Sequence, residues 1–156
     1  MIINKFKNKK VLITGHTGFK GSWLTLFLKI AGAKIMGISL KPSTKPSFFK
    51  AINLSKGIRN NYINILNRKK LENKIISFKP DFIFHLAAQP LITEAYTKSF
   101  LTWETNLIGT INILEIIKKL KKSCTCVLIT SDKCYDNIEK RSGYKETDRI
   151  GGSDPY

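Results

Sequence analysis

Residues 10–21 read KVLITGHTGFKG. Lys10 to Thr14 form a short apolar run rich in branched side chains, which predicts a buried strand. Gly15, Gly18 and Gly21 follow at a spacing of three, and the chain then takes on a helical period. Trp23, Leu24, Phe27, Leu28 and Ala31 recur on one helical face over residues 21–33, and Gly32 is placed to stop the helix. Strand, tight glycine turn and helix in that order make the first unit of an α/β fold.

Outward from this unit the alternation repeats. Residues 34–40 (KIMGISL) predict a second strand, followed by the loop KPSTKPS. Residues 61–66 (NYINIL) suit a third strand, and 68–79 an amphipathic helix. Residues 81–88 (DFIFHLAA) read as a strand ending in small side chains, and roughly 94–122 as one long helical region. Residues 124–131 (CTCVLITS) predict a further strand, and the polar, turn-rich remainder a loop. Strands alternating with helices predict a doubly wound parallel sheet with helices on both faces and right-handed crossovers. Its last strand, CTCVLIT or a neighbour, is expected to leave an apolar edge.

Composition removes several function classes. The 156 residues suffice for one domain with a real core, and no apolar run approaches the length of a membrane span. The start, MIINKFKNKK, has no apolar stretch or cleavage site of a signal peptide, so a cytoplasmic location is expected. The net charge of +16 raises a nucleic-acid reading. The excess is nearly all lysine scattered along the chain, with no zinc-finger or arginine-rich motif, so solvated surface is the better account and no nucleic-acid partner is expected. Cys124, Cys126 and Cys134 fall in one region. A zinc site takes about four ligands, and neither His16 nor His85 is spaced to complete one. No metal is expected; reduced thiols are, with Cys124 and Cys126 on one face of a strand.

The glycine turn has a definite physical use. Gly15 permits the sharp exit from the strand, Gly18 lets a pyrophosphate approach the backbone, and Gly21 lets the helix pack close to the sheet. Amide groups of the helix start then face the anion. The rival reading is a purely structural turn, but a turn between the first strand and first helix is the context a dinucleotide site demands. The acidic residue that ends the second strand of many such sites is missing here. Ser39 stands there, able to bond a ribose 2′-hydroxyl, with Lys41 beyond it as a partner for a 2′-phosphate. NAD and NADP both stay open, with a modest preference for NAD because no arginine follows the strand.

TGHTGFKGSWL, HLAAQP, TNLIGT and TSDKCYDN together resemble the extended short-chain dehydrogenase/reductase superfamily of NAD-dependent epimerases and dehydratases. Within it GHTGFKGSWL, SLKP, HLAAQPL, TSDKCY and GGSDPY resemble the CDP-glucose 4,6-dehydratase branch, over residues 8–156. The resemblance implies the N-terminal part of a Rossmann-like NAD(P)-binding domain. Gly15, Thr17, Gly18, Phe19, Gly21, Ser39, Asn64, Ile65, Ala87, Ala88 and Asn106 would then line the cofactor. Asn64 stands where the superfamily has an aspartate near the adenine, and Asn106 matches its helix asparagine, for which a packing role is the plain alternative.

The same resemblance assigns catalysis to Ser131, Asp132, Lys133 and Tyr156. Tyr156 would take the proton of the sugar 4-hydroxyl, Lys133 the proton at C5, and Asp132 would protonate the departing 6-hydroxyl. The implied reaction is net loss of water from CDP-glucose or a related nucleotide-sugar, with hydride held transiently on the cofactor. A related epimerase or reductase, or a non-catalytic nucleotide-binding fragment, are the alternatives. The tyrosine's companion lysine would fall beyond residue 156, as would the substrate-binding region, so the chain alone is expected to be inactive. Full-length members are expected to be homo-oligomers.

Overall fold

Val11, Leu12 and Ile13 expose no surface at all, which makes Lys10–Thr14 (β1) the centre of the sheet. The computed structural model describes residues 2–152 and 155. After β1 come α1 (Phe19–Ile30), β2 (Lys34–Ser39), α2 (Phe48–Ala51) and β3 (Arg59–Tyr62). Then follow α3 (Arg68–Phe78), β4 (Phe82–His85), α4 (Ile92–Thr97), α5 (Ser99–Trp103), α6 (Gly109–Lys118) and β5 (Thr125–Leu128). The five strands are parallel in the order β3-β2-β1-β4-β5.

Side chains of a strand alternate between faces, and here both faces are covered. Leu12, Met36, Ile38 and Ile83 meet Leu71, Ile75 and Phe78 of α3 and Ile113 and Ile116 of α6. Val11, Ile13 and Ile35 meet Leu28 of α1, with Leu24 and Phe6 at the margin. The doubly wound sheet expected from the sequence is therefore the observed fold. Cys124 and Cys126 both pack against the α3–α6 layer, and burial pushes both thiols up, Cys124 to about 11. No helix among the described residues is long and apolar enough to cross a membrane.

Several boundaries differ from expectation. The third strand is Arg59–Tyr62, not 61–66. It is an edge strand that pairs through its backbone to β2, while the apolar Ile63 and Ile65 turn inward onto the core. The fourth and fifth strands are Phe82–His85 and Thr125–Leu128, shorter than the expected 81–88 and 124–131. The region 94–122 is not one helix. Lys98 (φ −132°, ψ 50°) separates α4 from α5, and a π turn at Glu104–Ile108 joins α5 to α6. The first helix does stop where expected, with Ala31 as its cap and Gly32 at φ +75°. β5 is a sheet edge, with Val127 and Ile129 exposed.

Candidate cofactor and active site

Two of the three glycines are required by the fold itself. Gly15 has φ +74°, and a Cβ there would lie 2.8 Å from the backbone of Leu86 and Ala87. A Cβ on Gly21 would lie 2.1 Å from the Gly15 carbonyl oxygen. Gly18 is different. Its φ of −74° and ψ of 173° suit any residue, it is exposed, and an added Cβ would meet only the Gly15 oxygen, at 3.4 Å. What a side chain at Gly18 would obstruct lies outside the protein.

Gly18 caps α1 without a side-chain acceptor, and the amides of Phe19, Lys20 and Gly21 are first-turn donors that a helix leaves without an internal partner. A bare, side-chain-free helix start of this kind is a cradle for phosphate. It fits the diphosphate of a dinucleotide. Phe19 projects beside it, 76 % exposed.

The turn is tied to β2 and β4. Gly15 N–H donates to the Ile38 carbonyl at 2.8 Å. Thr17 Oγ1 lies 2.8 Å from Ser39 Oγ and donates to the Leu40 carbonyl at 2.9 Å. His16 points the other way, fully buried, its ring over Gly37, where a Cβ would come within 2.4 Å of it. Its Nε2 bonds Asn60 Oδ1 at 2.6 Å, and burial lowers its pKa against the opposing effects of Asn60 and Ile38. Sequence reasoning gave His16 no role. The readable signal was Gly37, a glycine inside an apolar strand, which marks close approach of another group.

On the β4 side, Thr14 Oγ1 accepts from the amides of Leu86 and Ala87, both at 3.2 Å. Its lone pairs thus engaged, it donates its proton to His85 Nδ1 at 2.7 Å. His85 Nε2–H then donates to Thr110 Oγ1 at 3.1 Å, whose hydroxyl donates to the Asn106 carbonyl at 2.6 Å. Burial lowers the His85 pKa to about 4, so the ring is neutral at ordinary pH. Asn106 sits in the π turn. Its amide oxygen accepts from Gln89 N–H at 2.8 Å and its Nδ2 donates to the Gln89 carbonyl at 3.2 Å. One hydrogen-bonded chain therefore runs from the end of β1 to the loop after β4, through two groups, His85 and Gln89, that the sequence did not single out.

The other expected residues fall at the same end of the sheet. Because the strands are parallel, positions just after each strand converge on the carboxyl ends. Asn64 is exposed beyond β3 and accepts from Leu66 N–H at 3.0 Å. Ile65 is buried, its side chain against Gly109 and its carbonyl bonded by Asn112 Nδ2 at 3.1 Å. Ala87 is half-buried and Ala88 exposed. Ser131 caps the turn Asp132–Cys134 beyond β5, accepting from Lys133 N–H at 3.1 Å, and Asp132 and Lys133 are exposed. Tyr156 lies outside the described residues. No group of three or more His, Cys, Asp or Glu side chains among the described residues is placed to hold a metal ion.

A parallel sheet of this order, with a glycine turn at the carboxyl end of its central strand where the connections depart to opposite sides, defines a Rossmann-like α/β protein, the architecture in which dinucleotides bind at that switch point. The chain belongs to the GDP-mannose 4,6-dehydratase family, whose model matches residues 12–156, within the extended short-chain dehydrogenase/reductases. It is 44% identical over 153 residues to the CDP-glucose 4,6-dehydratase of Salmonella typhimurium, covering 98% of this chain and 43% of that one. A Methanothermobacter thermautotrophicus epimerase shares the fold with a TM-score of 0.82 at 24% identity, over 99% of this chain and 45% of its own. So does a UDP-glucose 4-epimerase from Stenotrophomonas maltophila, solved with bound NAD and formylated UDP-arabinopyranose (TM-score 0.80, 19% identity, 96% of this chain and 44% of that one). The chain thus spans under half the length of the relatives it matches.

Proposed function

We propose that this chain is the cofactor-binding part of a nucleotide-sugar 4,6-dehydratase that removes water from CDP-glucose. The carrying observation is that the side-chain-free cradle at Gly18 and the Ser131–Asp132–Lys133 turn lie at the same, carboxyl end of the sheet. The 44% identity to a CDP-glucose 4,6-dehydratase supports the choice of reaction and substrate.

The amides of the α1 start and Gly18 would hold the diphosphate, Ser39 a ribose hydroxyl, and Asn64 the adenine edge. NAD, when bound, supplies reversible hydride acceptance, so that oxidation at C4 and reduction at C6 cancel and the net reaction is dehydration. The chain's own groups handle protons. Tyr156 takes the proton of the 4-hydroxyl, Lys133 the proton made acidic by the neighbouring 4-keto group, and Asp132 delivers one to the departing 6-hydroxyl. Acid and base stand next to each other because elimination removes a proton and expels a hydroxyl from adjacent carbons. The network through neutral His85 and Asn106 keeps the loop after β4 fixed without placing a charge beneath the cofactor.

A chimera tests this. Residues 1–156 replace the corresponding part of the Salmonella typhimurium relative, and the product from CDP-glucose and NAD is identified by NMR. The 4-keto-6-deoxy sugar is expected. A C4-inverted sugar would instead assign an epimerase, and a folded, NAD-binding chimera that releases no product would assign a non-catalytic module.

A further inference from the structure

The proton inventory around Ser39 permits one arrangement that satisfies every contact. Thr17 has a single hydroxyl proton. The Leu40 carbonyl, 2.9 Å from Thr17 Oγ1, can only accept, so it takes that proton. Ser39 Oγ, 2.8 Å from the same Thr17 oxygen, must then donate its own proton to Thr17. Thr17 and Ser39 are both buried residues, each 9% exposed, and their hydroxyls are within bonding distance of each other. Ser39 is left with lone pairs alone. It is an acceptor with no proton to give, the same hydrogen-bonding character as a carboxylate.

We propose that Thr17, by holding the Ser39 proton, makes this chain select a dinucleotide with a free ribose 2′-hydroxyl over one carrying a 2′-phosphate. This rests on the reading that the glycine turn seats a nicotinamide dinucleotide. A ribose hydroxyl donates to the oriented Ser39 oxygen. A phosphate has only acceptor oxygens at neutral pH and would face another acceptor, which leaves both unpaired. Lys41 two residues on is exposed, and a solvated point charge compensates poorly for a mismatch at a buried group. Thr17 is a positioning residue in this account: it acts through Ser39 and need not touch the ligand.

The test titrates NAD and NADP separately into the chain and its variants by calorimetry, with ligand-observed NMR where binding is weak. Wild type is expected to favour NAD by about tenfold, the ratio for one well-made against one mismatched hydrogen bond. Thr17→Val keeps the shape, removes the acceptor for Ser39's proton and frees that hydroxyl to donate, so the preference should fall to about twofold or less. Thr17→Ser should restore it. If Thr17→Val does not fold, Ser39→Ala decides: NAD should weaken while NADP does not. A folded Thr17→Val with the wild-type ratio, a Ser39→Ala that weakens both dinucleotides equally, or a wild type favouring NADP overturns the inference alone. Binding of neither dinucleotide to wild type overturns the cofactor reading beneath it.

Discussion

His85 makes the acid stability of this fold predictable. Burial lowers its pKa from 6.5 to about 4, because the imidazolium would lose hydration that the interior does not replace. Protonation at Nδ1 would also turn Thr14's proton against a second donor, when Thr14 Oγ1 already receives two amides. The sign follows from where each state binds the proton. Above about pH 6.5 neither state holds it and stability is unaffected. As pH falls toward 4 the unfolded chain takes up the proton first and is favoured; below about 4 both hold it and the loss is complete. At about 1.4 kcal/mol per pH unit the loss is about 3 kcal/mol. That is a large share of the roughly 5–15 kcal/mol that holds a domain together. Urea unfolding of wild type and His85→Gln, from about pH 7 to about pH 4.5, measures it. Gln cannot titrate yet can accept from Thr14 and donate to Thr110. His16, whose pKa is also lowered, is present in both chains and cancels. Wild type should lose stability relative to the variant as pH falls. Parallel profiles, or a wild type that gains on acidification, would refute the network as drawn.

Gly21→Ala sets a Cβ against the Gly15 carbonyl and should cost about 1–3 kcal/mol or more, whereas Gly18→Ala, with room for its Cβ, should change unfolding by less than about 1 kcal/mol; chemical denaturation compares them. Gly37→Ala should be destabilising because its Cβ meets the His16 ring, and His16→Ala in the same chain should recover part of the loss, a coupling of roughly 1–3 kcal/mol in a double-mutant cycle. In the chimera, Asp132→Asn should slow water loss by about 10²–10⁴-fold while reduced cofactor accumulates in a single turnover. A variant unable to reduce the cofactor would remove Asp132 from the acid's role.

What was legible in the sequence was local. Lys10–Thr14 and the glycines after it carry strand, turn and helix within one short window, and the structure keeps all of them. β3 was misplaced because an edge strand needs only backbone pairing: Arg59–Tyr62 is polar, and the apolar signal belongs to Ile63 and Ile65, which enter the core after the strand ends. The π turn was invisible because a partner distant in sequence, Gln89, engages the Asn106 side chain, while the Thr110 hydroxyl one turn on takes up its carbonyl. The described positions that follow β1, β2, β4 and β5 lie at one end because a parallel sheet carries every strand's carboxyl end to the same side. The hydroxyl chemistry did not show, because Thr17 and Ser39 meet across 22 positions and their proton directions exist only once Leu40 is in place.

The most direct test of the central claim, that the glycine turn is a cofactor cradle, is a calorimetric titration of NAD into wild type and Gly18→Val, with an unfolding curve for each. Valine suits the extended backbone at this position, and its Cβ would make only an ordinary contact, 3.4 Å from the Gly15 carbonyl oxygen, so the fold should survive while NAD affinity falls at least tenfold. A Gly18→Val chain that is folded and binds NAD as wild type does would show that the phosphate lies elsewhere, and the account would be wrong.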